Sequence, residues 1–342
     1  MAPARRSSYP PVLSIDFLAR QSRQLPFIAL SFSLSRLALG FKWSNLDNGL
    51  IAFFAVSLVF YLLHIIDGRI AWGSARKLHW DDEVVVITGG SSGLGKVIAD
   101  TYAMRGVSVA VLDVRPFYER DGDEEDGSVK FYKVDVGDEM AIQQVKTQIE
   151  KDLGTPTILI NNAGIVNGKT LLEVDSAALE KNFRVNLLSH FHTIRAFLPA
   201  MMRRKAGTIV TVASVLGDLG ASQLSDYTAA KAGLIAMHTS LRSELADAGQ
   251  SLIKTVLVKP GQLSTPLFKG IETPNSFLGP VVDPLDLAQG IIMKVDSGQS
   301  GVIAMPFYAD RIEWLSVLPY GMQRIMRWAS GVDRAMRTFK GS

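Results

Sequence analysis

The stretch Thr88-Gly89-Gly90-Ser91-Ser92-Gly93-Leu94-Gly95 decides the fold of this chain. It follows the apolar run Val84–Ile87 and precedes a segment of helical character, Lys96–Arg105. A glycine turn between a strand and a helix lets the backbone approach a pyrophosphate, and the helix N-terminus stabilises its negative charge. The residues expected to hold a dinucleotide at this turn are Gly89, Ser91, Ser92, Gly93, Leu94 and Gly95.

A second segment, Tyr227-Thr228-Ala229-Ala230-Lys231, places a tyrosine and a lysine four residues apart. On a helix these two side chains share one face. A cation beside the phenol favours the phenolate and lowers the tyrosine pKa toward the range that is useful for proton transfer. Together with the glycine turn, this pair indicates a nicotinamide-dependent oxidoreductase.

Further motifs follow in order along the chain: Asn161-Asn162-Ala163-Gly164, Ser214 and Pro260-Gly261. With the glycine turn and Tyr227-xxx-Lys231, this set resembles the short-chain dehydrogenase/reductase family over about residues 81–305. An apolar stretch ahead of these motifs makes the chain most similar to the membrane- and lipid-droplet-associated branch. That branch contains retinol and 17-beta-hydroxysteroid dehydrogenases.

The resemblance implies a catalytic tetrad of Asn186, Ser214, Tyr227 and Lys231. In the family, the backbone carbonyl at the Asn186 position holds a water that links the lysine to bulk solvent. The Ser214 hydroxyl stabilises the oxyanion that develops on the substrate. Tyr227 acts as general acid in reduction and as general base in oxidation, and Lys231 also bonds the nicotinamide ribose.

Cofactor preference depends on Asp113, which ends the second predicted strand. A carboxylate there accepts hydrogen bonds from the ribose 2′-hydroxyl and repels a 2′-phosphate, so NAD is expected. Arg115 could soften this exclusion, which leaves NADP open. By resemblance, Asp135 and Val136 lie beside the adenine. The other expected cofactor contacts are Asn162, Ala163, Gly164, Pro260, Gly261 and Thr265.

From Asp81 onward, strands and helices alternate, which predicts an α/β fold with a Rossmann-like, doubly wound parallel sheet. The predicted strands are Val84–Thr88, Val107–Leu112, Val129–Val134, Thr157–Ile160, Thr208–Val212, Ile253–Val258 and Gly301–Ala304. We expect a membrane-anchoring region over residues 1–80, a catalytic domain over 81–305 and an amphipathic helical extension over 306–342.

The N-terminal region contains two apolar segments, Phe27–Leu39 and Leu50–Ile66. The second has 17 residues without a charge, which is short for a bilayer span, so a hairpin or a shallow insertion is expected. Trp72 and Trp80 would supply interfacial aromatics. Basic residues flank the two apolar segments on both sides: Arg5, Arg6, Arg20, Arg23, Arg69, Arg76 and Lys77. They favour an orientation with both ends of the region in the cytosol. The expected membrane is the endoplasmic reticulum or the surface of a lipid droplet. A soluble helix pair packed on the fold is the alternative.

Charge and composition exclude several classes of function. Residues 1–80 carry a net charge of +6 and residues 306–342 of +3, around an acidic catalytic region. Basic ends of this kind predict contact with an anionic lipid surface and not with nucleic acid. The chain has no cysteine, which excludes disulfides, zinc-thiolate sites and thiol nucleophiles. Its five histidines are not spaced for a metal site, so no metal is expected.

The substrate is expected to be lipophilic, because the irregular segment Thr265–Val282 would cover it and is apolar. Its apolar residues are Pro266, Leu267, Phe268, Phe277 and Leu278. Beyond the sheet, apolar residues at three- and four-residue spacing predict one helix face from Leu315 to Met336. That helix could lie on a membrane, cap the substrate cleft or pack on the body.

The leading hypothesis is a membrane-anchored dehydrogenase that interconverts a lipophilic alcohol (a retinoid, a steroid or another lipid) and its carbonyl. An NADPH-linked reductase of keto lipids is the nearest enzymatic alternative. A lipid-droplet surface protein that kept the fold without catalysis is the alternative of a different class. The resemblance also implies a homodimer that pairs through the helices carrying Asn186 and Tyr227.

Overall fold

The computed structural model describes residues 24–39, 41–117, 128–271 and 279–339. The chain divides after Gly73 into an N-terminal unit and a larger unit that begins at Ser74. Some residues invoked above lie outside the described ranges: Arg5, Arg6, Arg20, Arg23, Phe277 and Leu278.

The N-terminal unit is a pair of packed helices, α1 (Leu25–Ala38) and α2 (Asn45–Trp72). The rings of Phe27 and Phe54 lie 5.8 Å apart, and Ser44 caps α2 through Asp47. The 28 residues of α2 extend well beyond the uncharged core that the sequence marked. A helix of that length measures about 42 Å, which exceeds the roughly 30 Å of a bilayer core. Within the described residues, α2 is the helix long and apolar enough to cross a membrane.

The larger unit is built on a seven-stranded sheet in which all paired strands are parallel. Its strands are β1 (Val84–Thr88), β2 (Ser108–Asp113), β3 (Val129–Lys133), β4 (Ile158–Asn161), β5 (Gly207–Val212), β6 (Ile253–Pro260) and β7 (Gly301–Met305). The spatial order is β3-β2-β1-β4-β5-β6-β7, so the order reverses between β1 and β4. A crevice for ligands forms at such a switch point. The predicted Rossmann-like sheet is confirmed.

Helices cover both faces of this sheet, because its central strands are continuous apolar runs that must be buried on each side. The helices are α3 (Gly93–Ala103), α4 (Glu139–Asp152), α5 (Ser176–Phe183), α6 (Ser189–Arg204), α7 (Ser225–Asp247) and α8 (Pro284–Asp296). On one face, Ile98 of α3 and Ile291 of α8 are fully buried against the strands. On the other, Ile142 of α4 and Phe197 of α6 close a second core.

The segment that enters the larger unit, residues 74–83, is seated in the base of the sheet. The Arg76 guanidinium is buried, forms an ion pair with Glu83, and donates hydrogen bonds to the Thr157 carbonyl at 3.2 Å and to Thr208 Oγ1 at 3.1 Å. The sequence counted Arg76 among the basic residues that flank the apolar segments, and in the structure its charge is buried in the larger unit. A buried carboxylate seven residues away provides its partner instead.

Trp80 was also misassigned, as an interfacial aromatic. Its ring lies 5.5 Å from that of Tyr102, and the Arg105 guanidinium lies 4.5 Å above it. Trp80 packs against the core of the larger unit, where an apolar surface already exists for it.

Between Ile312 and Thr338 the C-terminal extension forms three separate pieces, which corrects the prediction of one continuous helix face from Leu315 to Met336. Two 3₁₀ turns, Ile312–Val317 and Val332–Thr338, flank α9 (Tyr320–Ser330). Pro319 caps the start of α9 and Gly331 ends it in a left-handed conformation, with φ of 70°. Proline cannot donate the backbone hydrogen bond that a continuing helix needs, and glycine adopts positive φ at little cost.

Candidate active site

The glycine turn leaves the backbone open at the N-terminus of α3. Gly89 has φ of +65°, and a Cβ there would lie 2.8 Å from the Cα of Ala163. A Cβ on Gly95 would lie 2.3 Å from the Gly89 carbonyl oxygen, so α3 packs directly on the turn. The Asn162 amide donates to the carbonyls of Thr88 and Gly89, each at 3.1 Å. The turn is thereby fixed to the end of β4, in a shape that accepts a pyrophosphate.

Asp113 ends β2 beside this turn, and its carboxylate is nearly buried. One oxygen accepts the Ser91 N–H at 3.0 Å, and the other accepts the Arg115 N–H at 3.0 Å. The Arg115 guanidinium in turn donates to Ser92 Oγ at 3.0 Å. Asp113 therefore organises the turn, while the charge of Arg115 lies close to the same place.

Asp135 lies at the rim of the cleft after β3. One of its oxygens accepts the Gly137 N–H at 2.9 Å, and the other lies 3.3 Å from Arg184. This is the geometry of an aspartate that initiates a turn, and its neighbour Val136 is buried and lines the cleft.

Tyr227 and Lys231 lie on one face of α7, and both are almost fully buried. The Lys231 ammonium is 5.6 Å from the centre of the Tyr227 ring and donates to the Val212 carbonyl at 2.9 Å. Ser214 follows β5, and its Oγ accepts the Leu216 N–H at 3.1 Å. The three side chains that the sequence separated by up to 17 residues therefore meet at the ends of β5 and the start of α7.

Burial controls the ionisation of this group. Burial raises the pKa of the Tyr227 phenol well above its ordinary value, and a hydrogen bond with Ser214 lowers it in part. Burial also lowers the pKa of Lys231 to about 8. The sequence led us to expect that Lys231 would lower the pKa of Tyr227, but desolvation of the phenol is the larger effect in the protein alone.

Asn186 occupies a π-helical turn, Arg184–Leu188, between α5 and α6. Its side-chain amide donates to the Ile165 carbonyl at 2.8 Å and to Asn182 Oδ1 at 3.0 Å, and its Oδ1 accepts the Ile165 N–H at 2.9 Å. These bonds hold the loop that follows β4. A π-turn alters the hydrogen bonding of helix carbonyls and is frequent at functional sites.

The cleft formed by these elements has a volume of about 540 Å³. It brings together all but three of the residues predicted from the sequence: Gly89, Ser92, Gly93, Leu94, Asp113, Asp135, Val136, Asn162, Ala163, Gly164, Ser214, Tyr227, Lys231, Pro260, Gly261 and Thr265. The exceptions are Ser91, Gly95 and Asn186. They support the lining through the close contacts described above.

The end of the cleft near Tyr227 is apolar. The Phe268 ring meets the Tyr227 ring edge-on at 6.0 Å, in a 3₁₀ turn formed by Pro266–Phe268. Val166 and Met336 are buried in the same cluster as Tyr227, although neither of them lines the cleft itself. The sequence predicted an apolar cover from the segment after β6, and Leu267 and Phe268 of that segment line the cleft. For the C-terminal residues it left three alternatives open, and Met336 packs on the body beside Tyr227.

Two residues near the site were missed in the sequence. Thr88 Oγ1 accepts the N–H groups of Asn162 and Ala163 at 3.0 and 3.1 Å, which ties β1 to β4. His190 is buried, both its ring nitrogens lack a hydrogen-bond partner among the described residues, and burial holds its pKa well below the usual range. Its spacing of four residues from Asn186 on the same helical stretch was the available signal.

Comparison with known proteins identifies the family. A family model described as short chain dehydrogenase matches residues 83–276. The chain belongs to the short-chain dehydrogenase family. This dehydrogenase is 32% identical to short-chain dehydrogenase/reductase family 16C member 6 of Bos taurus, over 77% of the chain and 85% of the relative. It is also 32% identical to retinol dehydrogenase 10 of Homo sapiens, over 75% of the chain and 84% of the relative.

A third relative extends the similarity beyond the catalytic unit. The uncharacterized oxidoreductase TDA5 of Saccharomyces cerevisiae is 31% identical over 87% of this chain and 92% of its own length. Among solved structures, a short-chain dehydrogenase from Streptomyces avermitilis has a TM-score of 0.59 at 24% identity, covering 74% of this chain and 97% of its own. That likeness concerns the fold alone.

Family membership establishes the class of reaction. This dehydrogenase is an NAD(P)-dependent oxidoreductase that acts on CH–OH groups of a small-molecule substrate. The cleft fits such a dinucleotide, because it extends from the glycine turn at the N-terminus of α3 to Tyr227 and Lys231 and has a volume of about 540 Å³.

Proposed function

We propose that this dehydrogenase interconverts a lipophilic alcohol and its carbonyl at a membrane or lipid-droplet surface, with NAD as its preferred cofactor. The observation that carries the proposal is the apolar part of the cleft beside Tyr227, which is lined by Leu263, Leu267 and Phe268. A wall of this kind favours a hydrocarbon substrate whose single oxygen is directed at the polar groups. Retinol dehydrogenases among the relatives support a retinoid, a steroid or a similar lipid.

The proposed chemistry divides between cofactor and protein. NAD(P), when bound, accepts or donates the hydride. The Tyr227 hydroxyl transfers a proton to or from the substrate oxygen, and the Ser214 hydroxyl bonds the same oxygen as negative charge develops on it. Lys231 bonds the nicotinamide ribose and, as a cation, favours the Tyr227 phenolate. The turn at Asn186 links Lys231 to solvent through a water on its backbone carbonyl.

We assign the two ends of the dinucleotide to opposite ends of the cleft. Asp113 accepts from the adenosine ribose, and Asp135 and Val136 lie beside the adenine. Pro260, Gly261 and Thr265 hold the nicotinamide amide. Residues of both ends line the same cleft, with Asp113 and Val136 at one end and Thr265 at the other, which supports one continuous channel.

NAD is preferred because the Asp113 carboxylate would repel a 2′-phosphate. Arg115 works against this preference, since its guanidinium lies beside Ser92 at the same turn. The two oxygens of Asp113 retain lone pairs for a ribose hydroxyl, although each already accepts one backbone N–H. We therefore propose a preference for NAD that is moderate and not absolute.

We further propose that residues 1–80 anchor the enzyme, with residues 81–305 as the catalytic domain and 306–342 as an amphipathic extension facing the cytosol. The α1–α2 pair supports a hairpin, and α2 has the length and composition of a membrane span. The match to the yeast relative covers more residues than the larger unit contains, so it extends into the hydrophobic unit. Endoplasmic reticulum, lipid droplet or both would suit such an anchor.

The test uses the full chain reconstituted in lipid vesicles. Retinol, a 17β-hydroxysteroid and a long-chain secondary alcohol are each supplied with NAD⁺ and with NADP⁺, and formation of the reduced cofactor is followed. We expect turnover of at least one lipophilic alcohol, faster with NAD⁺. Faster reduction of a keto lipid by NADPH would favour the keto-lipid reductase instead. No turnover in either direction would favour a non-catalytic surface protein.

A further inference from the structure

The helix α9 is oriented with its polar side toward the protein and its apolar side toward solvent. Gln323 and Arg327 face inward, and the Arg327 guanidinium donates to the Gly220 carbonyl at 2.9 Å. On the outer side, Ile325 is 66% exposed and Trp328 is 70% exposed. A helix of a soluble protein normally buries its apolar stripe against the core. The apolar face of α9 therefore requires a different cover.

Basic residues lie beside this face, Arg324 on α9 itself and Arg334 and Arg337 in the 3₁₀ turn that follows it. Arg324, Arg334 and Arg337 are exposed and make no ion pair within the described part of the chain. Arg324 and Arg334 line a surface cleft of about 450 Å³ at the side of α9, together with Tyr320, Trp328 and the ion pair of Arg327 with Asp333. Guanidinium groups bind phosphate in a bidentate manner, and tryptophan and tyrosine favour the membrane–water interface. A surface that is both apolar and cationic matches the headgroup region of an anionic phospholipid layer.

A lipid surface suits α9 better than a second copy of the chain. A protein partner would have to supply an apolar patch and, at the same place, carboxylates for Arg324, Arg334 and Arg337, which make no ion pair with any described residue. An anionic bilayer supplies both everywhere on its surface. The chain also carries α2, whose apolar stretch is not buried, so a membrane is within its reach.

The inner side of the same extension packs in the cluster that contains Tyr227. Met336 is buried in the cluster around Tyr227, and Phe339 packs there so closely that a Cβ on Gly168 would lie 2.1 Å from its ring. One short segment thus exposes an apolar face and, at its other end, packs in one cluster with Tyr227 and Phe268, two residues that line the cleft.

We propose that residues 312–339 bind the surface of an anionic phospholipid layer through the outer face of α9, and that the substrate enters the Tyr227 chamber from that layer. The second half of this statement rests on the proposed function, whereas the lipid contact does not. Ile325 and Trp328 insert at the boundary of headgroups and acyl chains, and Arg324 and Arg334 bind lipid phosphates.

The lipid contact can be tested in the full chain, which contains no cysteine and so accepts a single label. Ile325→Cys is labelled with an environment-sensitive fluorophore and reconstituted in vesicles of phosphatidylcholine with phosphatidylserine. Met140→Cys is the matched control, because Met140 is an exposed apolar residue on α4 of the body. We expect blue-shifted emission and quenching by a lipid-attached quencher at position 325, and water-like emission at position 140.

Water-like emission at position 325 would overturn the proposal. A blue shift that persists in detergent, escapes the lipid-attached quencher and disappears on protein dilution would also overturn it, because it would identify a second copy as the cover. The proposed binding of lipid phosphates by the arginines is tested separately. The double variant Arg324→Gln/Arg334→Gln should lose quenching in the anionic vesicles, and an unchanged signal would exclude phosphate binding.

The route of entry is tested by kinetics. Ile325→Asp should raise the apparent KM for a membrane-dissolved alcohol several-fold, whereas Met140→Asp should not. An unchanged KM for Ile325→Asp would exclude entry from the lipid. If no alcohol is turned over by any variant while the label at position 325 is quenched, the proposed function fails and the lipid contact stands. Normal turnover together with water-like emission at position 325 would leave the proposed function standing and exclude the lipid contact.

Discussion

Asp113 combines two roles at the scale of a single residue, because its carboxylate fixes the glycine turn and faces the place expected for the adenosine ribose. Asp113→Ser should raise kcat/KM for NADPH relative to NADH, since the repulsion of a 2′-phosphate is removed. Arg115→Ala is the matched control, because it removes a positive charge from the same turn. It should lower kcat/KM for NADPH relative to NADH. A ratio that does not change in Asp113→Ser would show that Asp113 is not at the ribose.

Lys231 illustrates the stability that a buried charge costs. Its pKa falls from 10.5 to about 8 in the folded chain, which corresponds to about 3 kcal/mol against the charged form. Between these two values the unfolded state binds more protons, so the stability of the wild type should rise with pH through that window.

Lys231→Met should therefore unfold at a higher temperature than the wild type at neutral pH, although it loses activity. This advantage should shrink as the pH rises from about 8 toward 10.5, which thermal unfolding at a series of pH values measures. Lys133→Met, at an exposed lysine, is the control and should show no such trend. An advantage of constant size would contradict the assignment of a depressed pKa to Lys231.

At the scale of elements, the strands and the turns that follow them were predictable, since each is a short apolar run with a functional motif at its end. β1 coincides with its prediction, and β6 extends it by two residues into Pro260. The signal is local in these cases, because burial on both faces demands an unbroken apolar run. The residues that line the cleft could be predicted from these motifs, because parallel strands bring their carboxyl ends to one edge of the sheet.

Features that depend on distant partners were not predictable. Nothing near Arg76 in the sequence indicates that Thr157 and Thr208 would accept its hydrogen bonds. The place of Met336 beside Tyr227 depends on a separation of 109 residues and on two breaks, at Pro319 and Gly331. The inverted orientation of α9 was equally hidden, because periodicity identifies an apolar face without saying what it meets.

The segment 74–83 is an element whose contribution can be measured. Arg76→Ala leaves Glu83 buried without its partner, so the free energy of unfolding should fall by about 3–5 kcal/mol. Denaturant unfolding of the full chain in detergent, followed by the signal of the larger unit, gives this value. The double variant Arg76→Met/Glu83→Gln removes both charges and should recover much of the loss. If Arg76→Ala is as stable as the wild type, the ion pair is not buried in solution.

At the scale of the whole molecule, we propose a membrane anchor in residues 1–80 and a catalytic domain in residues 81–305. Deletion of residues 1–70 should release a folded body from membranes after a salt wash, because α1 and most of α2 are removed and salt weakens the proposed binding of lipid phosphates by Arg324 and Arg334. Fractionation of membranes before and after the wash provides the measurement. Salt-resistant retention would place the anchor elsewhere. A C-terminus protected from protease in sealed vesicles would contradict the cytosolic orientation.

The central claim is that the group around Tyr227 makes this chain a working dehydrogenase for lipophilic alcohols. The direct measurement compares wild type and Tyr227→Phe, as full chains in vesicles, for turnover of a lipophilic alcohol and for binding of NADH by fluorescence titration. The account predicts a loss of turnover of about 10²–10⁴-fold with NADH affinity nearly unchanged, because the phenol transfers the proton while the cofactor is held elsewhere. Retention of more than half the wild-type rate would contradict it.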